Sequence, residues 1–173
     1  MNVLDVCVGS EKIYFGMNKG LGDNFISMDI RKGDFTVQTK KNVVPVSIIV
    51  KPKVLASMKC IPFKDESIDI IVMDPPHLNL GKNGKSFMAK AYGSWDKSEV
   101  VSTIYRANIE FNRVLKKNGT LIIKVMPEDS DRYISLLSNF IFFLPIHTIR
   151  QQGCFTNKEA KAAAFWCVGI KKS

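Results

Sequence analysis

Histidine is almost missing from this sequence, with His77 and His147 the only two among 173 residues. So few imidazoles argue against a histidine-based metal centre, and no metal is expected. Cysteine is scarce too: of Cys7, Cys60, Cys154 and Cys167, no two stand in the C-x-x-C spacing of a zinc or dithiol redox site. A cysteine in an apolar strand acts as a small hydrophobe, which suits a reducing, intracellular home, the cytoplasm. A signal-peptide pattern is missing, because strand-like sequence starts at Val3. Long hydrophobic runs are missing as well. The uncharged stretch Tyr133 to Ile149 contains Ser138, Asn139 and Pro145 and is short for a bilayer span. A core helix turn followed by a buried strand explains it better. Neither G-x-G-x-x-G nor G-x-x-x-x-G-K-[ST] occurs, so a dinucleotide fold of the usual type and a phosphate-loop NTPase are set aside. There are no repeats.

What is present is positive charge. Lys and Arg number 25 against 16 Asp and Glu, a net charge of +9. Such an excess suits a polyanionic partner, nucleic acid first and an anionic membrane surface second. A merely solubilising surface accounts for it equally well. With 46% hydrophobic residues and 11 Phe, the chain has the makings of a real core. Its length fits one domain, residues 1–173.

Strand-like and helix-like segments alternate, as in an α/β sheet. Strands are expected at Val3 to Val8, Asn24 to Asp29, Lys53 to Met58, Ile68 to Asp74, Thr120 to Val125, Phe140 to Ile149 and Ala164 to Lys171. Phe35 to Lys40 and Val44 to Val50 read as a hairpin inserted after the second strand. Asp96-Lys97-Ser98-Glu99 has the form of a capping box. Behind it Val100, Ile104, Ala107, Phe111, Val114 and Leu115 mark one helix face, and Lys116, Lys117 and Gly119 stop it. Ser130 to Ser138 reads as a short helix. The last two strands, joined by the basic loop Arg150 to Lys161, are expected to pair antiparallel. The polar stretch from Leu78 to Trp95 shows no helical or strand period and reads as a substrate lid over residues 78–95.

The corner that opens this lid carries the chemistry. Ile68 to Met73 is a buried parallel-strand pattern, and Asp74-Pro75-Pro76-His77 follows it directly. Ligands of open α/β sheets bind beyond the carboxyl ends of strands. Each proline fixes φ and removes an N–H, so the corner presents a carboxylate, a fixed carbonyl and a flat ring to an amino group on an aromatic base. At the other end of the cleft, Asp5, Val6, Cys7, Val8, Gly9 and Ser10 form a small-residue turn after strand one. Asp29 ends strand two twenty residues beyond Gly9, the spacing at which an acid meets a ribose diol. A ligand with a ribose and no pyrophosphate fits this pattern.

These residues resemble class I S-adenosylmethionine-dependent methyltransferases, and more narrowly the amino-methyltransferases of nucleic acids. Those proteins pair a D-P-F-x-G-S-G-like turn with a D-P-P-[YFWH] corner. Asp5, Gly9 and Ser10 match the turn, whereas Val6, Cys7 and Glu11 depart from it; Asp74, Pro75, Pro76 and His77 match the corner throughout. The likeness is densest to small phage and prophage methyltransferases with a D-P-P-H corner. It runs through Met28-Asp29-Ile30-Arg31, Ile61-Pro62-Phe63, Tyr92-Gly93, Arg113-Val114-Leu115 and Lys124. Two features differ: strand three ends Ala56-Ser57 where the family has Ala-Asp, and Ala163-Ala164-Phe165-Trp166 keeps only the Trp of a His-x-His-Trp-like ending.

The resemblance implies a Rossmann-like methyltransferase fold, a mostly parallel seven-stranded sheet with an antiparallel last strand. It implies S-adenosylmethionine held by Asp5, Cys7, Gly9, Ser10, Asp29, Ile30, Ser57 and Met58, with Asp74, Pro75, Pro76 and His77 at the catalytic corner. His77 stacks on the base, and a duplex target is flipped out. Lys90, Tyr92 and Lys124 are expected to contact substrate, with Lys82 and Lys85 in the same lid. The implied reaction is methyl transfer to an exocyclic amine, adenine N6 or cytosine N4. Methylation of a small molecule or a protein amide uses the same corner and stays open, as does a non-catalytic viral binder of cofactor or host protein. No separate target-recognition segment is visible, which points to RNA, loosely selected DNA, or targeting by a homo-oligomer or partner.

Overall fold

The computed structural model describes residues 1–10, 24–38, 45–76, 87–125, 143–151 and 164–171. In chain order they form β1 (Val3–Asp5), β2 (Phe25–Asp29), β3 (Gly33–Val37), β4 (Val46–Val50), β5 (Val54–Leu55), β6 (Ile68–Met73), α1 (Phe87–Tyr92), α2 (Lys97–Val114), β7 (Leu115–Val125), β8 (Phe143–Gln151) and β9 (Ala164–Lys171). Seven strands make one sheet in the order β5-β2-β1-β6-β7-β9-β8. β1 pairs parallel with β2 and β6, β2 with β5, and β6 with β7, while β9 runs antiparallel to both β7 and β8. The mostly parallel sheet with an antiparallel last strand is therefore as the sequence implied. β3 and β4 form the expected antiparallel hairpin, a sheet of their own.

The chain winds outward from β1 to β2 and β5, then returns to β6 on the other side of β1. This reversal is a topological switch point, and it opens a crevice beyond the tips of β1 and β6. Leu4, Met28, Ile68, Ile71 and Met73 are fully buried, and Val100, Ile104, Ala107, Phe111 and Val114 of α2 pack on them. Asp96 caps α2 by accepting from the Ser98 amide at 3.0 Å and the Ser98 hydroxyl at 2.8 Å.

Several boundaries differ from the sequence reading, each for a local reason. Strand one stops at Asp5, because the Asp5 carboxylate takes the Cys7 amide at 2.9 Å and turns the chain. Strand three shrinks to Val54–Leu55, since Ser57 enters a tight turn that accepts from the Cys60 amide at 3.0 Å. Leu115 is not on the α2 face but caps the helix and opens β7. The register shift between Ile68 and Ile70 absorbs the extra residues before Thr120. The expected period-free stretch 78–95 contains a helix, α1. Its Phe87, Ala91 and Tyr92 pack with Phe35, Val37, Ile48 and Val50 of the hairpin in a second small core. His77, the start of the lid including Lys82 and Lys85, the Ser130 to Ser138 helix and most of the loop from Arg150 to Lys161 lie outside the described residues.

Candidate cofactor cleft and catalytic corner

β1, β2 and β6 end side by side, so the three acids at their tips converge. A cleft of about 410 Å³, counted with its open mouth, lies across these tips. Cys7, Asp29, Ile30, Met58, Pro76 and Tyr92 are among its walls. It thus links the ends of the first two strands to the Asp-Pro-Pro corner. Asp74 itself is not on the wall; Pro76, two residues on, is.

Asp5 is 2% exposed and acts on the backbone of the turn through Cys7. Burial pushes the Cys7 thiol well above its ordinary range, and the nearby charges of Asp5, Asp29 and Asp74 push it further. Cys7 is therefore a neutral lining group, unlike a thiolate nucleophile. Gly9 sits at φ 56°. A Cβ there would stand 2.7 Å from the Ala91 carbonyl oxygen and 3.4 Å from the Tyr92 ring, so α1 rests directly on the turn. The Ser10 hydroxyl is buried and, among the described residues, has no hydrogen-bond partner.

Asp29 is 4% exposed. One of its oxygens accepts from the Gly9 amide at 3.0 Å and Arg31 Nη2 at 3.1 Å. The other accepts from the Arg31 amide at 2.8 Å and Arg31 Nε at 3.1 Å. Ile30 is exposed beside it, while Met58 is buried and Ser57 is held in its turn by the Lys59 amide at 3.2 Å. Arg31 Nη1 also donates to the Lys90 carbonyl at 3.0 Å, joining the strand-two acid to α1. The sequence reading did not assign Arg31 a role. Its signal is a cation two residues past a strand-end acid, and its meaning depends on where α1 docks.

Asp74 accepts from Lys124 Nζ at 2.8 Å. Lys124 also lies over the Trp166 ring, 5.8 Å from its centroid. Lys90 points to the hairpin, 5.5 Å from the Phe35 ring centroid. Of the three expected substrate contacts, Tyr92 lies on the cleft, Lys124 lies at the corner and Lys90 is turned to the hairpin. Among the described residues no three His, Cys, Asp or Glu side chains are grouped to hold a metal. Among them, too, no helix is long and apolar enough to cross a membrane.

The sheet order and the cleft beyond its switch point have counterparts in solved structures. A methyltransferase dependent on S-adenosylmethionine (SAM) from Methanosarcina mazei superposes with a TM-score of 0.58 at 15% identity, covering 99% of this chain and 92% of that one. The N-methyltransferase NodS from Bradyrhizobium japonicum gives 0.57 at 11% identity, covering 99% and 86%. The fold is that of SAM-dependent methyltransferases. No family model matches this methyltransferase-fold chain. Over 70 residues it is 37% identical to the type II methyltransferase M2.MboI of Moraxella bovis, which takes in 35% of this chain and 25% of that protein.

The residues at the tips fit an adenosyl sulfonium ligand. Among the described residues, the buried Ser10 hydroxyl finds no partner for its donor or its acceptor. Asp29 stands twenty residues beyond Gly9, the spacing of an acid that meets a ribose diol, and in this structure it accepts from the Gly9 amide. Its four acceptor positions are already taken by the Gly9 amide and by Arg31.

Proposed function

We propose that this protein is a SAM-dependent methyltransferase acting on the exocyclic amine of a nucleic-acid base, adenine N6 or cytosine N4. The observation that carries the reading is the meeting of three sequence elements at one sheet edge. These are the Asp5 to Ser10 turn, Asp29 and the Asp74-Pro75-Pro76 corner, of which Cys7, Asp29 and Pro76 line one cleft at the switch point. The net charge of +9 and the likeness to a type II methyltransferase favour a nucleic-acid target over a small molecule.

When bound, SAM supplies an electrophilic methyl group on a sulfonium sulfur. Asp5, Cys7, Gly9, Ser10, Asp29, Ile30, Ser57 and Met58 would hold it. A base amine is a poor nucleophile because its lone pair is delocalised into the ring. The Asp74 carboxylate and the Pro75 carbonyl would accept its two N–H bonds, turn the lone pair out of the ring plane and stabilise positive charge growing on nitrogen. Held by Asp74 and Pro75, the amine would be poised to take the methyl group, and the extra proton would leave nitrogen for water. His77 would stack on the flipped base. Residues 78–95 would close over it, Tyr92 among them. The chain is read as one domain that works in the cytoplasm, with targeting by a partner or a second copy.

Transfer of tritiated methyl groups to DNA, tRNA and rRNA, with mass spectrometry of the modified nucleoside, tests the reading. Asp74→Ala should cut transfer about 10²–10³-fold, the scale for losing one transition-state hydrogen-bonding group. Its affinity for S-adenosylhomocysteine (SAH) should stay within about twofold of wild type, because Asp74 is off the cleft wall. Label that appears only on small amines, or an Asp74→Ala protein of full activity, overturns the assignment.

A further inference from the structure

We propose that Lys124 makes the corner selective for a neutral amine over an ammonium ion, a positioning role that rests on the methyltransferase reading above. A lone carboxylate at a cleft mouth attracts cations. Here Asp74 does not stand alone. Lys124 Nζ donates to it at 2.8 Å, and the two side chains are only 23% and 26% exposed, so water screens the pair weakly. The position of Lys124 is built into the sheet. Met73 pairs with Ile123 in the parallel β6–β7 ladder; Asp74, just past the end of β6, and Lys124 of β7 come next. Lys124 is also the cross-strand partner of Trp166, whose ring lies beneath the ammonium group. The cation is thus held from two sides. Among the described residues, Lys124 is the only hydrogen-bond partner of the Asp74 side chain.

The charges at the strand tips lead to the same conclusion. Among the described residues, Asp5, Asp29 and Asp74 contribute three negative charges, while Arg31 and Lys124 contribute two positive ones. The remaining negative charge is the match for one sulfonium. An ammonium group arriving beside it would be a further, uncompensated cation facing Lys124 as a like charge. A base amine or an amide carries no charge and still donates its N–H to Asp74. The corner therefore favours aromatic and amide amines and rejects lysine side chains, polyamines and other aliphatic amines.

Binding tests this without relying on turnover. In NMR titrations, wild-type protein should bind 9-methyladenine at least tenfold more tightly than benzylammonium. Lys124→Met should collapse that ratio to near one by gaining affinity for the cation, and Lys124→Arg should keep the wild-type ratio. Lys124→Gln gives the same readout if methionine is not tolerated. An unchanged ratio in the neutral variants, or wild-type protein that prefers benzylammonium, overturns the proposal. Titration with SAH reports separately on the cofactor reading. Wild-type protein that does not bind it refutes the methyltransferase assignment, while the amine ratio still decides the role of Lys124.

Discussion

Gly9 shows how tightly the strand-one turn is specified. Its left-handed φ costs a side-chain-bearing residue about 1–2 kcal/mol, and a Cβ would press on the Ala91 carbonyl 2.7 Å away. Gly9→Ala should therefore lower stability by at least about 1 kcal/mol, a fall of roughly 2–4 °C or more in Tm by calorimetry. Wild-type stability in that variant would mean that α1 does not rest on the turn. Cys7 beside it gives a chemical readout. Burial and the strand-tip carboxylates hold its thiol protonated, whereas Cys60 is exposed. Iodoacetamide at pH 8 should label Cys60 and leave Cys7 largely unmodified by mass spectrometry; equal labelling would contradict the electrostatics described. At this scale the positions at the strand tips were legible. Asp5, Gly9, Asp29 and Asp74 could be singled out because strand-end acids and small-residue turns leave local signals. Arg31 could not, because the carbonyls it grips belong to an element nearly sixty residues further along the chain.

Elements were legible where their pattern is their own. β2, β6 and β9 fall within a residue or so of expectation because each is an apolar run closed by polar residues. α1 left no such signal. It has six residues, and its buried face is completed by the hairpin, not by the main sheet. The same packing makes α1, the hairpin and Arg31 a unit. Arg31 bonds Asp29 on one side and the Lys90 carbonyl on the other, and a Cβ on Gly93 would lie 3.3 Å from its guanidinium carbon. On the proposed reading, a ribose diol would need acceptors on Asp29 that the Arg31 fork now fills. Cofactor entry and the docking of α1 should therefore oppose each other. Arg31→Ala should bind SAH more tightly, by about fivefold or more, the lower range of measured site couplings. Its α1 amides should exchange faster with deuterium, as contacts that close the helix are lost. Weaker binding by Arg31→Ala in isothermal titration would show instead that Arg31 supports the bound state.

The molecule as a whole is fastened by carboxylates, which sets its response to acid. Glu110 on α2 takes Arg113 Nε at 3.0 Å and Nη2 at 2.7 Å, and also the Ile61 amide at 2.7 Å. Arg113 reaches on to the carbonyls of Ile61 and Phe63, both at 2.8 Å, so the pair pins the segment before β6 onto α2. Asp69 likewise takes Lys116 at 2.9 Å and the Asn2 amide at 2.6 Å, tying β6 to β7 and to the start of the chain. Hydrogen bonds from Arg113 hold the Glu110 carboxyl below its ordinary range, and those from Lys116 and Asn2 do the same for Asp69. Both groups are thus more acidic in the folded than in the unfolded chain. Their stabilisation is complete above the unfolded values, about pH 4–4.5, and is lost as pH falls through the lower folded values. A chain of net charge +9 also gains self-repulsion as its carboxylates protonate. Glu110→Gln removes one of these acid-sensitive ties, so at pH 7 its urea midpoint should lie below that of wild type. As pH falls toward 3, wild type loses the same tie and the two midpoints should converge. A gap that stays constant from pH 7 to pH 3 would mean that Glu110 acts through shape alone, with its charge contributing nothing to the clamp.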